Sequence, residues 1–344
     1  MAKRRKRGLI RRALGGLVFL GILGGAFWWV LPLVRSTSQD APAAPKNLVG
    51  IAPSPTAATQ PGASGSPLRP IEAKPSASVA APVPVPGSRP AVEAADLPRA
   101  QAACQAGMRA IEQNPVEARR LLSEALAKGL TGPDAEQARR KLNELGERMI
   151  FSPVRTPGDP LVAAYTVKAG DTVGKIAAAH NISEELLAQI NQLRNKNFVR
   201  LNQTLKVVQG PFHAVVDKSQ HEMYIILGDV YVRDFRVALG MNGGTPTGKW
   251  IVANHLTNPS WVDPRTGKRW HADDPQNPIG EYWIGLQGIE GEAKGQIGFG
   301  IHGTIDEASI GQDVSMGCIR LAARDIEMVY KLLVPGKSTV VVKD

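Results

Sequence analysis

The chain has 344 residues, two cysteines, six histidines and a formal charge of +10, enough length for two or three compact units. Seven of its Lys and Arg fall in residues 1–12, "MAKRRKRGLIRR", which carry no acid, so everything beyond sums to only +3. No later stretch interleaves dense Lys/Arg with aromatics as a nucleic-acid groove does, which excludes nucleic acid as a partner.

In chain order, the basic tip is followed by "ALGGLVFLGILGGAFWWVLPLV", residues 13–34, an uncharged run long enough to cross a hydrocarbon core of ~30 Å. It reads as a single-pass anchor in the cytoplasmic membrane, with the positive tip inside, Trp28 and Trp29 at the far interface and the rest of the chain in the periplasm or wall. A cleaved secretory signal ending near "APA" (Ala41–Ala43) is the rival reading, and both export everything that follows. Residues 35–95 are Pro, Ala and Ser with few aromatics, a composition that cannot offset its chain entropy by burial and reads as a semi-extended tether.

Residues 96–150 change to a helical pattern. Asn114 is placed as N-cap, Pro115 at the first helical position and Glu117 at the capping-box position. Leu121, Leu122, Ala125 and Leu126 then form an apolar stripe, and Gly129 stops the helix. "GPDAEQARRKLNELGERM" reads as another helix, and the run from Asp96 makes about three. They faintly resemble a tetratricopeptide-like unit. One unit is short of the three that such arrays need, so a helical spacer competes with a docking role.

Residues 163–209 alternate strand, helix, helix and strand. A short strand at Tyr165–Val167 leads into the turn "AGDT". A helix passes through Ile176 and Ala179, and Ser183 caps a second one with Leu186, Leu187 and Ile190 inward. A turn at Asn202 returns the chain as a strand over Leu205–Val208. The wording "YTVKAGDT", "IA", "LL..IN" and "LNQTLKV" closely resembles a LysM module. Asn202 stands where that family usually has glycine, a mild departure because Asn tolerates a left-handed turn. The resemblance implies binding to N-acetylglucosamine-containing glycan, peptidoglycan or chitin.

Residues 211–344 are mostly strand runs with a closing helix, "AARDIEMVYKLL", and a last strand, "KSTVVVK". The whole chain is thus read as multidomain α+β: anchor, linker, helical segment, LysM module and a mainly-β domain. Residues 256–280 form a polar, turn-rich insertion with Trp261 and Trp270, of a length typical of a lid or binding loop. His255, His271, Asp273 and Asp274 lack a compact metal-ligand spacing and read as a solvated part of it.

The chemistry centres on Cys318. A free thiol titrates near ~8.5 and needs an imidazole or a helix N-terminus to lower that value. His302, at a strand end sixteen positions upstream, is the available base, the Gly303 carbonyl is a means of fixing its tautomer, and the chain after Cys318 reads as a helix start. The N–H groups of Gly317 and Cys318 are candidate oxyanion donors. Arg320 is placed either to grip a substrate carboxylate or to pair with Asp325. Cys104 sits in a helical run and reads as core, leaving Cys318 a free thiol.

"TPTGKW", "IGFGIHGT" and "SMGCIRL", in that order, resemble the L,D-transpeptidase catalytic domain of the YkuD type across residues 211–344. The resemblance implies Cys318 as nucleophile, His302 as general base oriented by the Gly303 backbone, and Ser315, Gly317 and Arg320 shaping the oxyanion and substrate pocket. It implies attack on a peptidoglycan tetrapeptide stem, release of D-Ala, a thioester and transfer to a side-chain amine, with no metal or organic cofactor. One position departs: Met316 replaces the family's usual second histidine and cannot carry a proton. A thiol carboxypeptidase on the same fold, and a non-catalytic wall-binding scaffold, remain the alternatives.

Overall fold

The computed structural model describes residues 48–49, 96–196 and 198–344. The expected anchor over 13–34, and the linker over 35–95 apart from Leu48–Val49, lie outside them. Among the described residues no helix is long and apolar enough to cross a membrane.

A two-residue strand β1 (Leu48–Val49) pairs in parallel with Ser260 and Trp261 of the 256–280 insertion. Three helices follow: α1 (Asp96–Ala110), α2 (Pro115–Ala127) and α3 (Gly132–Gly146), the last running into a π-helical turn at Glu147–Phe151. Asn114 caps α2 by accepting the Glu117 N–H at 3.1 Å. The capping box is only half formed, because the Glu117 carboxylate turns to Arg120 instead. The helices do not stand apart as a repeat or a spacer. Their apolar stripes, with Ala118, Leu122, Ala138 and Leu142, close around Tyr231 of the β domain in one core, covering the outermost strand of its sheet. An uncovered edge strand would present a row of free N–H and C=O groups.

The LysM-like segment pairs β2 (Val162–Thr166) antiparallel with β3 (Thr204–Val208), enclosing α4 (Val173–Ala179) and α5 (Glu184–Ile190). Asn202 takes the left-handed turn at φ 63°. Ser183 caps α5 by accepting the Leu186 N–H and donates its own hydroxyl to the Lys331 carbonyl of the β domain at 2.6 Å.

The β domain is a curled eight-stranded sheet. In chain order it contains β4 (Phe212–Asp217), β5 (Glu222–Leu227), β6 (Val230–Arg236), β7 (Leu239–Gly240), β8 (Gly248–Thr257), β9 (Ser260–Val262), β10 (Arg269–Trp270), β11 (Tyr282–Glu290), β12 (Phe299–His302), β13 (Asp313–Ser315), β14 (Ile319–Arg320), α6 (Ala323–Leu332) and β15 (Thr339–Lys343). The main sheet runs β14-β12-β11-β8-β15-β4-β5-β6, while β7 and β13 form a separate parallel pair. Alternation along the strands buries one face. A single hydrophobic cluster runs from Ile176, Leu186 and Leu205 through Phe212, Trp250 and Ile301 to Ile326 and Val329 of α6. The LysM-like segment and the β domain therefore share one core and are packed rather than strung together. The helices cover the β6 end of the sheet; the β12–β14 end is left for chemistry.

Candidate active site

β12 and β14 pair in parallel with Ile301 opposite Ile319 and His302 opposite Arg320. Both isoleucines enter the core. The period of two then turns His302, Arg320 and Cys318 to the other face. Continuing the register one step back sets Cys318 beside Gly300, and the thiol does hydrogen-bond with the Gly300 backbone. Trp283 of β11 faces His302 across the next pairing and stacks on its ring, with centroids 5.8 Å apart and planes 17° apart. Cys318 packs against the apolar cluster of Trp261, Ile279 and Trp283.

His302 is buried, and its Nδ1 lies 2.6 Å from the Gly303 carbonyl oxygen. A carbonyl only accepts, so Nδ1 carries the proton and Nε2 keeps its lone pair. Burial lowers the imidazole pKa to about 4; the Gly303 bond opposes that shift and the Arg320 charge adds to it. Burial likewise raises the Cys318 thiol to about 11, against the Gly300 hydrogen bond and the Arg320 charge. The resting pair is a neutral thiol beside a neutral imidazole. This corrects the expectation of a depressed thiol: desolvation outweighs the one nearby cation. The expected helix start is absent too, because Cys318 leads into β14, and α6 begins only at Ala323.

The supporting residues divide. Ser315 is buried; it donates to the Cys318 carbonyl at 2.6 Å and accepts the Gly317 N–H at 3.0 Å. It ties the turn, and the Gly317 N–H is thereby spent and is no oxyanion donor. The neighbouring Cys318 N–H has no protein acceptor among the described residues. Gly317 has φ +137°, a conformation side chains rarely adopt, and a Cβ there would fall 2.6 Å from the Phe299 ring. Arg320 makes no ion pair with Asp325 or any other acid among the described residues. Its Nε is buried without a partner. Met316 stands exposed at the mouth.

Thr245, within "TPTGKW", was not singled out by its own chemistry, yet its buried hydroxyl donates to the Gly317 carbonyl at 2.9 Å and accepts the Gly240 N–H at 2.9 Å. Trp283 was missed as well; nothing local in "EYWIGLQG" separates a site tryptophan from a core one. The 256–280 insertion is built around the hairpin β9–β10, with Trp261 stacked on Trp270 at 5.2 Å and Lys268 over Trp270. His255 instead stacks on Tyr330 of α6, and Asp273 bonds Asn258. Both cysteines are free, with Cys104 buried among the helices. A cavity of about 420 Å³ lies far along the sheet, between the helices and β4–β5, and none of these reacting groups lines it.

A thiol, an imidazole with a free Nε2 and a glycine-rich turn at one edge of a curled sheet define a cysteine enzyme of the acyl-transfer class. A family model described as the L,D-transpeptidase catalytic domain, YkuD, matches residues 211–342, and the LysM domain model matches residues 165–208. YkuD of Bacillus subtilis (strain 168), provisionally named an L,D-transpeptidase, is 30% identical over 170 residues, 47% of this chain and 88% of that protein. YqjB of the same strain, named likewise, is 31% identical over 138 residues, 39% of this chain and 73% of that protein. L,D-transpeptidase 3 from Mycobacterium tuberculosis overlaps with 18% identity and a TM-score of 0.31, over 42% of this chain and 66% of that one, too loosely to carry weight. The chain belongs to the YkuD-type L,D-transpeptidase family and carries a LysM domain ahead of the catalytic one.

Proposed function

We propose that the protein cross-links peptidoglycan by L,D-transpeptidation through a thioester on Cys318. The observation that carries this reading is the His302–Cys318 arrangement: both residues on one face of adjacent parallel strands, with the imidazole's Nδ1 committed to Gly303.

His302 Nε2 takes the thiol proton as Sγ attacks the carbonyl carbon of the bond before the terminal D-Ala. A neutral pair suits this step, since the base must be unprotonated when the thiol meets substrate. The oxyanion is stabilised by the Cys318 N–H, a type of contact whose loss costs about 3–4 kcal/mol elsewhere. The tetrahedral adduct collapses as His302 passes its proton to the departing D-Ala amine, leaving the thioester. An acceptor amine then attacks the thioester carbon and gives up a proton to His302, which returns it to sulfur as the new amide forms. No second imidazole takes part, because Met316 occupies that position. Arg320, half-buried and without an ion-pair partner, is suited to grip the carboxylate of the leaving D-Ala.

The LysM domain supports peptidoglycan as the polymer bound. The uncharged run at 13–34 supports an anchor in the cytoplasmic membrane, with the catalytic domain held outside on the 35–95 tether. Mass spectrometry of the protein mixed with tetrapeptide muropeptides tests the reaction. Transfer yields D-Ala, a Cys318 adduct and cross-linked dimers. Shortened monomers alone indicate hydrolysis, and no change indicates a scaffold.

A further inference from the structure

Nine large apolar side chains are exposed among the described residues, and three of them flank this one site: Met241 at 47%, Ile305 at 53% and Met316 at 42%. Two of them adjoin residues that the backbone pairs. Gly240 closes β7 opposite Ser315, which closes β13, so Met241 and Met316 each leave the pair at the same end. The loop and the turn are stitched by Thr245 to the Gly317 carbonyl. They approach so closely that a Cβ on Gly240 would fall 2.8 Å from the Gly317 Cα. Arg320 lies two residues beyond Cys318 and Met316 two residues before it, so the turn has one cationic and one apolar flank.

Resting on the transpeptidase reading, we propose that Met241 and Met316 form the acceptor wall of the cleft. They select an acceptor whose nucleophilic amine ends an aliphatic chain. The donor's carboxylate is drawn to Arg320, which leaves the thioether side for the second substrate. Unbranched, polarizable Met side chains fit alkyl chains of varied shape. Methylenes laid against them exclude water from the thioester, and full burial of each is worth about fourfold in binding.

The test gives the full chain a tetrapeptide muropeptide donor with 2,3-diaminopropionate, ornithine or lysine as acceptor. Amide product is read against hydrolysed product by mass spectrometry, per thioester formed. In the wild type the ratio should rise with chain length. In M241S/M316S it should fall about tenfold for lysine and lose its length dependence, and Met316→Leu, which keeps the wall apolar, should retain it. An unchanged ratio in the double serine variant, or loss of the ratio in the leucine variant, overturns the proposal. If the wild type forms no Cys318 adduct at all, the transpeptidase reading itself fails and this wall falls with it.

Discussion

Two cations, buried Lys206 and half-buried Arg320, mark the two ends of the molecule. Lys206 sits at the seam between the helices and the LysM domain, and its ammonium donates to the carbonyls of Met149, Ser152 and Val154 at 2.7, 2.7 and 2.9 Å. Nearby, Arg119 and Asp159 form a bidentate pair that is likewise buried. Every donor of Lys206 is used, and the group ties β3 to the 149–154 stretch that leaves the helices. Arg320, at the other end of the sheet, has its Nε buried and unpaired and makes no ion pair among the described residues, with Asp306 acting on it only through space. Lys206 spends its donors within the protein, whereas under the proposed function Arg320 keeps a donor for the substrate carboxylate.

The sharpest break of this contrast is at the sulfur. Cys318→Ala removes the nucleophile and should lower turnover by more than about 10³-fold with the melting temperature nearly unchanged, as thermal unfolding beside an activity assay will tell. Lys206→Met should do the opposite. It strands three buried carbonyls, costs about 3 kcal/mol in urea unfolding, and leaves acylation by the surviving folded fraction intact.

The pH dependence separates the two ends further. The folded-state pKa of His302 lies near 4, below the ~6.5 of the unfolded chain. The folded protein therefore binds fewer protons between those values. Its stability from this group is whole above about pH 6.5 and declines by up to about 3 kcal/mol as pH falls to 4. Lys206, lowered to about 8 by burial, makes stability rise with pH from about 8 toward the ordinary lysine value. Urea titrations at both ends of the scale should show both slopes, with His302→Gln reducing only the acid one, to which half-buried His255, also lowered to about 4, contributes as well. The raised thiol adds a kinetic signature: iodoacetamide should alkylate Cys318 slowly at pH 7–8, with the rate climbing only above about pH 10.

Smaller effects refine the site. Arg320→Gln should raise the donor's KM and lower kcat/KM about 10–150-fold, since a charge-assisted contact is worth about 1.5–3 kcal/mol. Thr245→Val should cost about 1–2 kcal/mol of stability, and its activity loss should appear in kcat because the Gly317 turn is misplaced rather than a substrate contact removed. If instead Thr245→Val moved KM alone, Thr245 would belong with Arg320 as a ligand-facing group.

Much of this was written in local sequence. The caps at Asn114 and Ser183, the left-handed turn at Asn202, and the order of glycines around His302 and Cys318 are short-range features, set by backbone geometry and hydrogen bonds within a few residues. They suffice to identify the LysM and YkuD-type segments. Tertiary structure alone decided what depends on groups distant in sequence. It set the neutral state of the thiol–imidazole pair, since desolvation is a property of the packed surroundings. It used up the Gly317 N–H on Ser315, left Arg320 without Asp325, and stacked Trp283 on His302. It also laid three helices over the exposed end of the sheet, because an apolar stripe records that it must be buried but not against what.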